Sequence, residues 1–250
     1  MSVMFQYALS TCQPPPKCLT FAAPHRPAPR KNHMDARFAR NQMVSQQMRA
    51  WEVLDRRVLA IFEALPRDQF VPERYRKLAF ADTQIPLPHD QVMMAPKVEG
   101  RLLQALDPQP DESVLEIGSG SGFLSACLAK MSGEVLSVDI FPDFTAGAVQ
   151  ILKDMGIRNT RFETRDGTQL DWLNQRFDAI AVTGSLPSYQ ASYAQHLNVG
   201  GRLFVIVGEL PVMEALLITR EAEDAWSSES LFETDLPALV NAPRPRHFSF

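Results

Sequence analysis

From residue 35 onward, apolar positions recur first with the spacing of helices and then in short runs typical of buried strands. Residues 35–49 carry a helical pattern. Asp55 stands at the head of a second helix in which Val58, Leu59, Phe62 and Leu65 recur at three- and four-residue spacing, and Pro66 ends it. A loop-like stretch over residues 70–96 follows, punctuated by Pro72, Pro86, Pro88 and Pro96. A helix from about residue 98 to 106 then leads past Pro108 and Pro110 into a different pattern.

That pattern alternates strand and helix: strand 113–117, helix 122–131, strand 134–138, helix 143–155, strand 161–164, strand 178–182, helix 188–196 and strand 202–207. Alternation of this kind predicts an α/β fold, a Rossmann-like, doubly wound and mostly parallel sheet with helices on both faces. Two further apolar segments, 213–220 and 231–235, are expected to close one edge as an antiparallel pair. The expected organisation is a single domain over residues 34–250. It divides into a helical N-terminal part (35–106), an α/β core (113–208) and C-terminal edge strands (211–250).

Residues 1–33 stand apart. They hold six prolines and little periodic hydrophobicity, which suits an extended segment with too little apolar surface to offset its ordering entropy. The tail is expected to be disordered or a non-native extension from a start codon assigned upstream of Met34, and its acid-poor, Arg-bearing composition also fits a transit peptide. The tail carries four basic side chains and no acidic one, leaving 21 basic against 29 acidic residues and a charge of −8 on the remainder.

An acidic folded part argues against a nucleic-acid partner, which needs clustered Lys and Arg on one face. Cys12, Cys18 and Cys127 form neither a metal-ligand spacing nor a disulfide framework, so a reducing, cytoplasmic setting and no metal are expected. No apolar run approaches the roughly 20 residues of a membrane helix. A monomer with 45% apolar composition has enough material for a full core.

The candidate chemistry lies where the first core strand meets its helix. Val114-Leu115-Glu116-Ile117-Gly118-Ser119-Gly120-Ser121-Gly122 is a buried strand running into a glycine loop, and glycines there allow a sharp turn and close approach of backbone to a ligand. The next strand ends in Asp139, 21 residues after Gly118, where a carboxylate can accept hydrogen bonds from both hydroxyls of an adenosine ribose. Asp166-Gly167 follows the third strand, and its carboxylate can accept from an adenine amino group.

A nicotinamide enzyme shows a similar strand, loop and acid. Here the spacing is G-x-G-x-G, with Phe123 where a dinucleotide site wants a small residue. Glu116 suits a cofactor bearing an ammonium and a sulfonium better than it suits a pyrophosphate. The expected cofactor is therefore S-adenosyl-L-methionine, with Glu116, Gly118, Ser119, Gly120, Gly122, Asp139, Asp166, Gly167 and Thr183 as candidate binding residues.

At this point residues 42–208 resemble the protein-L-isoaspartate O-methyltransferases. The likeness runs through Pro66-Arg67-Asp68-Gln69-Phe70-Val71-Pro72, Ala79-Phe80-Ala81-Asp82, the glycine loop, Asp166-Gly167-Thr168, 177–183 and Gly200-Gly201-Arg202-Leu203. The resemblance implies methyl transfer to a carboxylate of damaged aspartyl residues in proteins. Such a carboxylate is ionised at neutral pH, so no general base is required and alignment supplies the catalysis.

Where the family has Gln-Thr-Ile-Ser before a proline, with hydroxyls that contact the substrate carboxylate, this chain reads Gln91-Val92-Met93-Met94-Ala95-Pro96. Each hydrogen bond lost to a charged group costs about 1.5–3 kcal/mol. Asp82, Val92 and Met94 thus mark the expected catalytic side, with Thr183 shaping its substrate face. Lys97 is a candidate replacement partner for the carboxylate, and His89 reads as a loop residue. Two alternatives stay open on these residues: a paralogue methylating a different small-molecule or protein substrate, and a non-catalytic S-adenosylmethionine-binding protein.

Overall fold

The computed structural model describes residues 33–244, with side chains from residue 36. The expectation for the proline-rich tail, His33 excepted, lies outside the described residues.

The helical N-terminal part begins with α1 (His33–Gln42), which continues through a wider π-type turn at Met43–Met48 and a 3-10 turn at Arg49–Trp51. Met43, Val44 and Met48 are buried on its inner side. Next comes α2 (Arg56–Ala64), capped as its sequence predicts: the Asp55 carboxylate accepts from the backbone N–H groups of Arg57 and Val58 at 2.7 and 3.0 Å. Replacing Asp55 with alanine is expected to cost about 0.5–2 kcal/mol, read as a lower urea midpoint with an unchanged slope.

Residues 70–96 are not wholly loop. Leu87 and Gln91 close a small hairpin between β1 (Ile85–Pro86) and β2 (Val92–Met93), and a 3-10 segment at Glu73–Leu78 precedes it. The helix α3 (Pro96–Leu106) starts two residues earlier than its apolar pattern, because Pro96 occupies the first turn, where no N–H is needed.

The core contains β3 (Ser113–Ile117), α4 (Phe123–Met131), β4 (Glu134–Asp139), α5 (Pro142–Asp154), β5 (Thr160–Thr164), β6 (Phe177–Leu186), α6 (Ala191–Gln195), β7 (Leu197–Glu209), β8 (Val212–Ala222) and β9 (Ala225–Thr234). One seven-stranded sheet has the order β5-β4-β3-β6-β7-β8-β9. The first five strands are parallel, and β8 and β9 add the antiparallel edge that the apolar segments predict.

The inner parallel strands β3, β4 and β6 are buried on both faces and so read as continuous apolar runs, whereas β5 at the edge does not. Val114 packs into the larger apolar cluster with α2, α3 and α4, whereas Leu115 and Ile117 pack into a second cluster with Val182, Tyr193 and Leu203. Arg202 ties the sheet to its entry. Its guanidinium donates to both Glu112 carboxylate oxygens at 2.7 and 2.8 Å and to the Leu106 carbonyl, joining β7 to the end of α3 and the turn before β3.

Several lengths differ from expectation: β6 (Phe177–Leu186) and β7 (Leu197–Glu209) are both longer than the strands expected at 178–182 and 202–207. The helix after β6 is only five residues, Ala191–Gln195, and β9 begins at Ala225 rather than 231. The added part of β9 is exposed and polar, so it carries no apolar periodicity; its pairing to β8 through the backbone makes it a strand. After β9 the chain turns back over the carboxyl ends of the strands, where Ser185 pairs with Ala238.

Candidate cofactor and methyl-transfer site

The carboxyl ends of β3, β4 and β6 open onto a cleft of about 820 Å³, counting its mouth. Its floor is the glycine loop. Gly118 has φ +104°, and a Cβ there would lie 2.2 Å from the Thr183 Oγ1, so only glycine fits. The Thr183 hydroxyl lies within donating distance of the carbonyls of Ile117 (2.9 Å) and Gly118 (2.7 Å), fastening the end of β6 to the loop. The Gly118 and Ser119 N–H groups donate back to the Val138 carbonyl.

Asp139, at the end of β4, holds the loop from the other side. Its Oδ2 accepts from Gly120 N–H at 2.9 Å and its Oδ1 from Phe141 N–H at 3.0 Å. Burial raises its pKa above the ordinary value against the pull of those amides. Each carboxylate oxygen keeps a lone pair for a ligand hydroxyl. Asp166 lies past β5. Its Oδ1 accepts from the Thr168 N–H and hydroxyl at 2.9 and 2.7 Å, and its Oδ2 from Asn241 Nδ2 at 2.8 Å. Burial opposes ionisation there, but these donors outweigh it and hold the carboxyl below the usual range.

The walls are apolar. Phe141 and Phe144 stand on one side, Val92, Met93 and Met94 on another, and Leu236, Leu239 and Val240 of the returning C-terminal segment complete the enclosure. The hairpin loop reaches across to α5: His89 stacks on Phe141 with ring centroids 4.0 Å apart, and its Nε2 lies 3.0 Å from both Asp143 oxygens. His89 is thus a loop residue, as read from the sequence.

The structure brings Val92, Met94, Gly118, Ser119, Gly120, Asp139, Asp166, Gly167 and Thr183 together on this cleft. Three other candidates are not among the described lining residues. Asp82 accepts a hydrogen bond from Lys97 Nζ at 2.8 Å, and that ammonium lies 4.0 Å from the centroid of Trp51, so both the acid and the lysine are engaged elsewhere. Gly122 opens α4 with φ +80°, and a Cβ on it would press to 2.9 Å from the Ala148 Cβ; its need is close packing of α4 on α5. Glu116 is fully buried behind the loop, where its Oε2 accepts from the Ser125 and Ser137 hydroxyls, and burial pushes its pKa up to about 8.

Sequence reasoning missed Glu99 and the role of Arg67. Arg67 is fully buried, and its guanidinium donates to the Ala79 carbonyl (2.9 Å), the Met94 carbonyl (2.7 Å) and Glu99 Oε2. It also lies 4.6 Å from the centroid of Phe123. One side chain therefore pins the 3-10 segment, the Met93-Met94 wall and α3 together. Glu99 lines the cleft although it is only 2% exposed. The signal available was a carboxylate on the face of α3 that otherwise carries Leu102, Leu103 and Leu106.

Three carboxylates line the cleft, and no lysine or arginine does among the described residues. That set of acceptors fits a cofactor with a ribose, an adenine amino group and a cationic sulfonium end, and it fits a pyrophosphate badly.

Comparison with known proteins agrees with this chemistry. The sequence model of the protein-L-isoaspartate (D-aspartate) O-methyltransferase family matches residues 38–238. A protein-L-isoaspartate O-methyltransferase 1 of Rhodopseudomonas palustris (strain HaA2) is 34% identical over 83% of this chain and 88% of its own. One from Aeropyrum pernix is 36% identical over 75% of this chain and 74% of its own. In fold, the chain resembles a Plasmodium falciparum protein of that description, solved with S-adenosyl-L-homocysteine, with a TM-score of 0.68 at 20% identity over 82% of this chain and 97% of that one. Glycine loop, carboxylate set and sequence relationship converge: this chain belongs to the protein-L-isoaspartate O-methyltransferase family.

Proposed function

We propose that this chain is an S-adenosylmethionine-dependent methyltransferase that esterifies the free α-carboxylate of isoaspartyl residues in proteins. The observation that carries the reading is the cleft at the strand ends, lined by carboxylates and free of lysine and arginine among the described residues, in a chain of this family. When bound, S-adenosylmethionine supplies a methyl group activated by its sulfonium. Asp139 is placed to hold the ribose, Asp166 the adenine amino group, and the Gly118–Gly120 backbone to let the ligand approach closely.

No proton has to be removed from an acceptor that is already a carboxylate. The chain's contribution is orientation and exclusion of water, for which Val92, Met93 and Met94 provide an apolar wall fixed by Arg67. The same reading takes residues 34–250 as one domain acting as a cytoplasmic monomer on protein carboxylates, without a nucleic-acid partner. The acidic balance of that stretch supports the last point, and no described helix is long and apolar enough to cross a membrane.

The acceptor wall lacks the hydroxyls that contact the carboxylate in the family. Restoring them with Val92→Thr and Met94→Ser is expected to raise turnover on an isoaspartyl peptide about 10- to 100-fold per recovered bond. An unchanged rate in the doubly substituted protein would contradict this account of the wall. The same apolar wall favours a second reading, in which the acceptor is a different, less polar carboxylate substrate.

Incubation with methyl-labelled donor separates the two. Label in a base-labile ester on an isoaspartyl peptide, and not on its aspartyl isomer, supports repair. Donor binding with no label on either peptide moves the acceptor to the second class.

A further inference from the structure

Resting on the methyl-donor reading above, we propose that Glu99 is the residue that receives the α-ammonium of the cofactor's amino-acid end. The sequence offered Glu116 for that task, and its Oε1 also lacks a hydrogen-bond partner, but Glu116 is fully buried and is not among the described residues lining the cleft. Glu99 does line it. Its Oε2 is taken by Arg67, while its Oε1 accepts no hydrogen bond from the described residues. Glu99 as a residue is only 2% exposed, yet it lines the cleft, so its second oxygen can accept from a ligand donor there.

The order of groups across the sheet supports the assignment. Asp166 follows β5, Asp139 ends β4, and the glycine loop follows β3, in the sheet order β5-β4-β3-β6. The helix α3, which carries Glu99, packs against β6, β7 and α4, on the opposite side of the glycine loop from Asp166. The three lining carboxylates therefore succeed one another as adenine amino group, ribose and amino-acid end succeed one another in the cofactor. With Arg67 satisfying one oxygen, the buried pair is neutral as a whole, and an incoming ammonium meets an acceptor already fixed in direction.

Charged and titratable groups around Glu99 are Arg67, Glu116 and Cys127. Burial pushes Glu99 up to about 7, with Arg67 pulling against it. An ammonium docking on Oε1 favours the ionised form, so cofactor binding near pH 7 should release a fraction of a proton.

The test is isothermal titration of the full chain with S-adenosylhomocysteine and with its analogue lacking the α-amino group, each in buffers of different ionisation enthalpy. Wild-type protein is expected to bind the amine-bearing ligand about 10- to 100-fold more tightly and to release a proton only with that ligand. Glu99→Gln should lose that preference and the proton release together, while still binding the deamino analogue as wild type does. Because Glu99→Gln leaves Arg67 without its anion, Glu99→Asp serves beside it, keeping the charge but withdrawing the oxygen, with a reduced preference expected.

Equal affinity of wild-type protein for the two ligands overturns the proposal, and this result needs no variant. So does a Glu99→Gln protein that retains the preference or the proton release, or one that weakens both ligands alike. Failure of both ligands to bind wild-type protein removes the donor reading as well, whereas the other negative outcomes leave it standing.

Discussion

Replacing Asp139 with alanine is expected to weaken binding of S-adenosylmethionine by about 100-fold or more, the largest effect on the site from a single side chain. Two ribose hydroxyls donating to a carboxylate contribute about 1.5–3 kcal/mol each, and each 1.4 kcal/mol is tenfold in affinity. Alanine also frees the Gly120 and Phe141 N–H groups that the carboxylate holds at 2.9 and 3.0 Å, so the loop loses a fixed point. Asp139→Asn keeps one acceptor oxygen and should fall between wild type and alanine. Titration of folded variant protein gives the answer, and a loss under about threefold for Asp139→Ala would remove the aspartate from the ribose.

The second large effect concerns stability. Arg67→Ala is expected to destabilise the fold by about 3–5 kcal/mol, because it strands Glu99 in the interior without its cation and frees the carbonyls of Ala79 and Met94. For a domain of this size that is a melting-temperature loss of roughly 6–20 °C. The paired replacement Arg67→Met with Glu99→Leu removes both charges and should lose less than Arg67→Ala alone, since burying a charge pair is offset only partly by its own attraction. Thermal and urea denaturation read both proteins. A single variant within about 1 kcal/mol of wild type would show that the pair does not hold the α3 region in place.

Much of this was legible in the sequence, for physical reasons that can be named. The bounds of β3 follow from an apolar run ending in glycine, and α2 begins at the acid that caps it. The helices α3 and α5 are legible too, although each begins one or two residues before its apolar pattern, with proline in the first turn. The Asp139 and Asp166 positions are legible because strand ends in a parallel sheet face one side of the molecule.

The illegible parts depend on contacts between distant residues. The β1–β2 hairpin has strands of two residues, one containing a proline, too short for any period to register. The exposed half of β9 has no apolar face to reveal it. Leu236 to Val240 reach the cleft only because the chain doubles back after β9, and nothing in their local pattern says so.

The placing of Glu116 and Glu99 shows the same limit at the scale of one side chain. Glu116 sits next but one to Gly118, so proximity along the chain suggested a ligand. A strand residue, however, points its side chain to a face of the sheet and not over its end. In this chain that face is covered by α4, and Ser125 and Ser137 receive the carboxyl. Glu99, nineteen residues before the loop, reaches the cleft from another helix. The position of Asp82 has a similar cause, since the salt bridge to Lys97 holds it on the outer side of α3.

The claim on which the rest depends is that this cleft takes a cationic methyl donor, and titration of wild-type protein with S-adenosylmethionine and with NAD, side by side, tests it most directly. S-adenosylmethionine is expected to bind at a single site with an affinity that Asp139→Ala lowers about 100-fold or more, and NAD, whose pyrophosphate would face Asp139 and find no lysine or arginine among the described lining residues, is expected not to bind. Tight binding of NAD with none of S-adenosylmethionine would contradict the account.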